Sequence, residues 1–123
     1  MKKLTINKTL NSPEILMDAD KGIIEIKGVS FLEDSVPFYI PVLHWVDEYT
    51  TNPKVTTVNV ELTYFNSATA KILLTIFKSL KLIRKKDFKL TINWRYAEDD
   101  EDIRNSGFDF AKLADLEFNM IEK

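Results

Sequence analysis

Residues 55–95 read VTTVNVELTYFNSATAKILLTIFKSLKLIRKKDFKLTINWR, and this stretch decides the fold class. Apolar and polar residues alternate over Val55–Phe65 and again over Phe88–Arg95, which predicts two strands that are each buried on one side. Between them, apolar residues recur at three- and four-residue steps from Ser67 to Arg84, which predicts a helix. A strand, a helix and a strand of these lengths fit a parallel, right-handed crossover.

The phase of the alternation indicates how the sheet is covered. Val58 and Val60 share one face of the first strand, and Leu90, Ile92 and Trp94 share one face of the second. Central strands of a sheet with helices on both faces are almost continuously apolar, which these are not. We therefore expect a two-layer α/β domain, with a mixed sheet that is covered by helices on one face only.

The N-terminal third of the chain extends the same pattern. Short alternations near Ile15–Met17 and Gly22–Lys27 predict two earlier strands. Helical spacing predicts a helix from Val36 to Tyr49, with Pro37 suited to its first turn. The buried stripe expected for this helix consists of Val36, Tyr39, Ile40, Leu43, Val46 and Tyr49. The stripe expected for the Ser67–Arg84 helix consists of Ala70, Leu73, Leu74, Phe77 and Leu80.

The C-terminal segment predicts one more helix and one more strand. The helix is expected to start in the acidic run Glu98–Asp102, to be interrupted at Gly107, and to continue through Phe110 and Leu113. A last strand is expected near Glu117–Ile121.

Composition bounds both the organisation and the chemistry. A length of 123 residues predicts one domain, spanning 1–123, and a net charge of −2 gives no general attraction to nucleic acid or to an anionic membrane. The absence of cysteine excludes thiolate chemistry, and the single histidine, His44, cannot form a histidine cluster. No leader or membrane-spanning pattern is visible, so we expect a cytoplasmic protein. Because the sequence shows no set of metal-ligating residues, we also expect no metal or cofactor.

The junction between the first strand and the second helix is the most informative site in the sequence. Asn66 or Ser67 can cap the helix by accepting a hydrogen bond from its first turn, which by itself explains a small polar residue there. The N-terminus of a helix also stabilises phosphate through its free amides and its dipole. The alternative interpretation is therefore reversible phosphorylation of a hydroxyl at this junction, with Asn66 and Lys71 in support.

Several short motifs together resemble the SiaC family of bacterial regulatory phosphoproteins. Their order and spacing are more specific than any one of them, and they span nearly the whole chain. The motifs are Lys8-Thr9 followed by Ser12-Pro13-Glu14-Ile15, the run from Gly22 to Ser30, Phe38-Tyr39-Ile40-Pro41, Tyr64-Phe65-Asn66-Ser67 and Asp99-Asp100-Glu101-Asp102.

The resemblance implies a fold like that of the STAS domains of anti-sigma-factor antagonists and a role as a non-enzymatic switch. In such a switch a protein kinase phosphorylates a hydroxyl residue just after the Phe-Asn pair, and a metal-dependent Ser/Thr phosphatase removes the phosphate. The unmodified form binds and activates a diguanylate cyclase, which places the protein in cyclic di-GMP signalling. By position the acceptor is Ser67, next to Asn66.

The sequence departs from the family pattern at the residues that follow the asparagine. The family commonly shows Thr-Ser-Ser, whereas this chain has Ser67-Ala68-Thr69, which makes Thr69 a second candidate for phosphorylation. Two other functional classes remain as alternatives. One is an anti-sigma-factor antagonist whose output is transcription, and the other is a small enzyme with a pocket that the sequence does not reveal.

The remaining candidates concern partner binding. Tyr64 and Phe65 lie beside the junction, and the acidic residues Asp99, Asp100, Glu101 and Asp102 suit a basic surface on a kinase or phosphatase. Consecutive carboxylates point about 100° apart on a helix and therefore rarely converge on a metal. Capping of the third helix by Asp99 or Asp100 is the simpler explanation of the run.

Overall fold

Six strands and three helices alternate along the chain, and the computed structural model describes all of residues 1–123. In chain order the elements are β1 (Leu4–Ile6), β2 (Glu14–Asp18), β3 (Ile23–Ser30), α1 (Ser35–Tyr49), β4 (Thr56–Phe65), α2 (Ser67–Lys85), β5 (Leu90–Tyr96), α3 (Glu101–Ala114) and β6 (Asn119–Glu122).

The sheet order follows the chain order, β1-β2-β3-β4-β5-β6. Strands β1, β2 and β3 pair antiparallel, whereas β3 to β6 pair parallel through the three helices. Each of the three helices connects a strand to the next parallel strand, always in the same direction across the sheet. Because such crossovers share one handedness, all three helices lie on the same face of the sheet. The predicted mixed sheet with one helical layer is confirmed.

The two faces of the sheet have opposite chemistry. Val58, Val60 and Ile92 are almost completely buried beneath the helices, as the alternation predicted. On the open face, a row of amides crosses four strands and ends on a carboxylate. The hydrogen bonds of this row run from Asn119 to Asn93 at 3.1 Å, from Asn93 to Asn59 at 2.8 Å, and from Asn59 to Glu25 at 3.1 Å.

The predicted interruption of the third helix at Gly107 is wrong, because α3 is continuous from Glu101 to Ala114. A Cβ atom on Gly107 would lie 2.4 Å from Cδ1 of Trp94 and 2.6 Å from its Nε1. The same indole donates a hydrogen bond to the carbonyl of Ile103 at 2.8 Å. Gly107 therefore brings α3 close to β5, and it does not break the helix.

The predicted buried stripes are only partly correct. In α1, Val36 and Ile40 are exposed, because the residues facing the core start one position earlier, about 100° around the helix. In α2, Ala70 and Leu74 are half-buried. That helix packs against both α1 and α3, which widens its covered face beyond a narrow stripe. The buried residues that the stripes missed are Ser35, Val42 and Trp45 in α1, and Thr69, Ile72, Ile76 and Ile83 in α2.

The strands also differ from the prediction, most clearly at β5 and β1. Strand β5 begins at Leu90, and Phe88 is an exposed residue that follows the turn in which Asp87 has a positive φ of 67°. Strand β1, with three residues, was not predicted at all. Three residues are too few to show a periodicity, and this strand depends on its pairing with β2.

Candidate functional site

Strand β4 ends at Phe65 and α2 begins at Ser67, so a single residue forms the junction. That residue, Asn66, is the helix cap. Its Oδ1 accepts a hydrogen bond from the amide of Thr69 at 3.0 Å. Its Nδ2 donates to the carbonyl of Leu32 at 2.9 Å, which ties the junction to the neighbouring loop between β3 and α1.

Ser67 lies at the first helical position and is exposed to solvent. The backbone amides of Ser67 and Ala68 have no hydrogen-bond partner, because the cap serves only Thr69. The first turn of α2 contains no acidic residue, so nothing compensates the positive end of the helix dipole. Lys71, also exposed, lies one turn further along. An anion attached to Ser67 would meet free donors and a favourable dipole.

Thr69, two residues on, is in a different environment because its side chain is completely buried. Its Oγ1 lies 2.8 Å from the hydroxyl of Ser30 and 3.3 Å from that of Ser35. The Ser30 hydroxyl in turn lies 2.8 Å from that of Tyr39. We call Ser30, Ser35, Tyr39 and Thr69 the hydroxyl cluster. Burial raises the pKa of Tyr39 above its usual value, while hydrogen bonds with Ser30 and Thr69 act in the opposite direction.

The hydroxyl cluster joins the end of β3, the start of α1 and the first turn of α2. Such a network leaves none of its side-chain oxygen atoms buried without a partner. A kinase can reach Thr69 only if this part of the protein opens, whereas Ser67 is accessible in the folded chain. The two hydroxyls that the sequence offered as alternatives therefore differ in exposure, since Ser67 is exposed and Thr69 is buried.

Exposed apolar side chains surround the junction. Tyr64 is 48% exposed and Phe31 is 55% exposed, and their ring centroids are 5.5 Å apart. Leu10, in the loop between β1 and β2, is fully exposed, and the adjacent Asn11 accepts a hydrogen bond from the amide of Phe31 at 2.8 Å. We call Leu10, Phe31, Tyr64 and Ser67 the carboxyl-end surface. Sequence reasoning missed Leu10 and Phe31, because no local pattern marks them.

Phe65, predicted beside Tyr64 as a partner-binding residue, is directed toward the core. Its ring centroid lies 6.3 Å from that of Trp94 and 5.8 Å from that of Phe110. Both distances fall within the range of favourable aromatic pairs. Phe65 is half-buried, and its role in the structure is to pack α3 against the sheet.

The acidic run begins α3, at the same end of the sheet as the junction. Asp100 is the cap, and its Oδ1 accepts from the amide of Ile103 at 3.0 Å. Glu101 and Asp102 occupy the first turn, where they compensate the helix dipole. Asp99 is exposed, and no group of three or more carboxylates or histidines is arranged to hold a metal ion. The cap formed by Asp100 and the first-turn positions of Glu101 and Asp102 both match the capping interpretation of this run.

The two largest grooves lie at the opposite end of the sheet. One, of about 760 Å³, is bordered by Arg84, Phe88 and Leu116. Beside it Lys81 donates a hydrogen bond to Asp115 at 2.6 Å, and this contact together with the charge of Lys81 lowers the pKa of that carboxyl group. Neither groove includes a residue of the junction. None of the helices has the length and apolar character needed to cross a membrane.

Solved structures with the same fold are SiaC proteins. The chain superposes on SiaC of Pseudomonas aeruginosa with a TM-score of 0.88 at 20% identity, covering 100% of both chains. The apo form of SiaC from that organism gives a TM-score of 0.85 at 22% identity, over 100% of this chain and 99% of the other. A third structure, of the diguanylate cyclase SiaD in complex with its activator SiaC from P. aeruginosa, gives 0.90 at 21% identity, over 98% and 99%.

Sequence comparison identifies the family directly, as the resemblance of the short motifs suggested. No curated protein matches the chain. The family model described as "SiaC family regulatory phosphoprotein" matches residues 6–123, and the chain therefore belongs to the SiaC family of regulatory phosphoproteins.

Proposed function

We propose that this protein is a non-enzymatic switch in which reversible phosphorylation of Ser67 controls binding to a diguanylate cyclase. The observation that supports it most is the exposure of Ser67 at an uncompensated helix N-terminus, beside the exposed apolar side chains of the carboxyl-end surface. The family is one of regulatory phosphoproteins, and SiaC of P. aeruginosa is the activator of the cyclase SiaD in a solved complex.

The choice of Ser67 over Thr69 rests on burial. A kinase must extract its acceptor into its own active site, and Thr69 is held by the hydroxyl cluster, with no exposed surface. Ser67 needs no such extraction because its side chain faces solvent. Reversible phosphorylation requires a protein kinase and a phosphatase, and the family resemblance implies a phosphatase of the metal-dependent Ser/Thr class. The acidic residues Asp99, Asp100, Glu101 and Asp102 offer these enzymes a docking surface.

The unmodified form is the one expected to bind the cyclase. Tyr64 and Phe31 present apolar surface beside Ser67, and such aromatic side chains supply much of the binding energy at interfaces. A phosphate adds a charge of about −1.5 to −2 next to that surface. Burying this charge against a partner without a compensating cation is costly, so phosphorylation should exclude the cyclase.

Site-resolved mass spectrometry of the protein from its native cells tests the acceptor first. We expect a phosphate on Ser67 under some growth conditions and none on Thr69. Phosphate on Thr69 alone would overturn the assignment. A complete lack of modification at both residues across growth conditions would overturn the switch itself.

A capture experiment from the same cells tests the output. The Ser67→Ala chain should retain a diguanylate cyclase and raise its synthesis of cyclic di-GMP, and the Ser67→Asp chain should not. Retention of an anti-sigma factor in place of a cyclase would instead identify an antagonist that acts in transcription. Equal capture of the cyclase by both variants would contradict control by charge at Ser67.

A further inference from the structure

Asn66 does more than cap a helix, because its side chain bonds in two directions. Its oxygen accepts from the amide of Thr69 at 3.0 Å, and its nitrogen donates to the carbonyl of Leu32 at 2.9 Å. A cap needs only an acceptor, and Asp100 performs that task for α3 with a carboxylate. The carboxamide is the side chain that accepts at one end and donates at the other, so it joins α2 to the β3–α1 loop.

The loop that Asn66 holds is residues 31–34, and it forms part of the carboxyl-end surface through Phe31. Its first residue is tied to Asn11 by a backbone hydrogen bond. Glu33 and Asp34 follow, both exposed, and neither takes part in an ion pair. Asp34 precedes α1 without forming a side-chain cap. The bond from Asn66 to Leu32 therefore fixes the middle of a loop that carries two uncompensated carboxylates.

A phosphate on Ser67 would act against that bond in two ways. The free amides of Ser67 and Ala68 would hold the phosphate beside the amide of Thr69. Its oxygens are ionised, and ionised acceptors form hydrogen bonds about twice as strong as neutral ones, so they compete with the Asn66 oxygen for that third amide. The phosphate also repels the carboxylates of Glu33 and Asp34, which lie in the loop held next to it. Both effects favour separation of the loop from the junction.

The helix itself is held independently of its cap. Thr69 is buried, and its hydroxyl contacts Ser30 and Ser35 beneath the first turn. Asn66, in contrast, is only half-buried. When the phosphate and the Asn66 oxygen compete for the Thr69 amide, the side chain of Asn66 and the loop can move while the first turn of α2 stays in place.

We infer that Asn66 is the positioning residue through which phosphorylation of Ser67 reshapes the carboxyl-end surface. In the unmodified chain it holds Leu32, and with it Phe31 against Tyr64. In the phosphorylated chain it gives up the Thr69 amide, releases Leu32 and frees the loop. This inference rests on the proposed function, since it takes Ser67 as the acceptor, and it adds a change of surface shape to the change of charge.

The test uses the full chain with phosphoserine placed at position 67 during synthesis, so that no kinase is needed. Solution NMR follows the side-chain NH₂ of Asn66, the carbonyl carbon of Leu32 and the amide of Phe31. With phosphate we expect a shift of the Leu32 carbonyl and hydrogen exchange at Asn66 and Phe31 that is roughly three- to tenfold faster, as for loss of one neutral hydrogen bond. Side-chain signals of Ser35 and Tyr39, in the hydroxyl cluster, should stay unchanged, whereas the amide of Thr69 should shift because its acceptor changes.

Two matched substitutions separate this role from ordinary capping. Asn66→Asp keeps the acceptor and removes the donor, so it should free the loop in the unphosphorylated chain and leave phosphate with little further effect. Asp100→Asn makes the reverse exchange at the cap of α3, and it should leave Phe31 and Leu32 unaffected.

Identical Leu32 and Phe31 signals with and without phosphate would overturn the inference, and so would a loop that Asn66→Asp leaves unchanged. The first result would mean that phosphate acts by charge alone, and the second that the bond from Asn66 to Leu32 does not hold the loop. The proposed function would survive that outcome, because mass spectrometry of native protein tests the acceptor separately.

Discussion

Helices α2 and α3 both start at the carboxyl end of a parallel strand, and both have the same type of cap. In each, a short polar side chain accepts from the amide three residues on at 3.0 Å. Their first turns differ in charge, because α3 contains Glu101 and Asp102 whereas α2 contains no acidic residue. The dipole of α3 is thus compensated within the chain, while that of α2 is left open to an added anion. Capping alone therefore does not distinguish the proposed phosphorylation site from the start of α3, whereas the charge of the first turn does distinguish these two helices.

The two helices also differ in how they are anchored. Gly107 lets α3 approach Trp94, and an aromatic cluster that includes Phe110 fills the space around that contact. The start of α2 is anchored instead by hydroxyl groups, with Thr69 at their centre. A polar anchor beneath an exposed serine keeps the first turn in place without covering it.

The largest effect is expected from Gly107→Ala in α3. The new methyl group would lie 2.4 Å from the buried Trp94 ring, so the free energy of unfolding should fall by about 3 kcal/mol. Urea denaturation measures it. Asn105→Ala, on the exposed side of the same helix, is the control and should change stability by about 0.5 kcal/mol or less. Equal effects would contradict the close approach of α3 to β5.

A second pair of substitutions compares the two hydroxyls of α2. Thr69→Val removes a buried hydroxyl, which leaves Ser35 without a partner and Ser30 with Tyr39 alone, so stability should fall by about 1 to 2 kcal/mol. Ser67→Ala removes an exposed hydroxyl and should cost about 0.5 kcal/mol or less. Thermal and urea unfolding give both values. A Thr69→Val chain as stable as Ser67→Ala would show that the hydroxyl cluster does not anchor α2.

The sequence alone was sufficient for the strands of the sheet other than β1, because one-sided burial leaves a periodicity of two. The phase of Val58 and Val60 revealed which face is covered, and the structure confirms it. The position of the junction was likewise predictable from the change of period between β4 and α2. Recognition of the family then supplied the basis for the function that we propose, which no catalytic pattern could have indicated.

Sequence patterns could not predict that Ser67 and Thr69 differ in exposure. The two residues have the same chemistry and lie two positions apart, yet one is exposed and the other is fully buried. Burial of Thr69 depends on Ser30, which is 39 residues away, and on Tyr39 in a different element. Local periodicity cannot report partners at that distance. Gly107 was misread for the same reason, since Trp94 is what requires it.

The smallest effect is the most direct test of the comparison between the two helices. Ser67→Asp adds a negative charge to the uncompensated first turn of α2, so it should raise the free energy of unfolding by about 0.3–1 kcal/mol at low salt. Glu101→Gln removes such a charge from α3 and should lower it by a similar amount. Both shifts should shrink as salt screens the charges, which urea unfolding at two ionic strengths will show.

The sign of the change in the free energy of unfolding also shows whether Ser67→Asp loses the cyclase through its charge or through unfolding. If Ser67→Asp loses the cyclase because it unfolds, stability and binding must fall together. If charge at a folded switch excludes the cyclase, stability rises while binding falls, because the anion that suits the helix dipole is the one that the apolar partner surface rejects. A destabilised Ser67→Asp chain would show that Glu33 and Asp34 outweigh the dipole, and the difference between α2 and α3 would no longer support Ser67 as the site of phosphorylation.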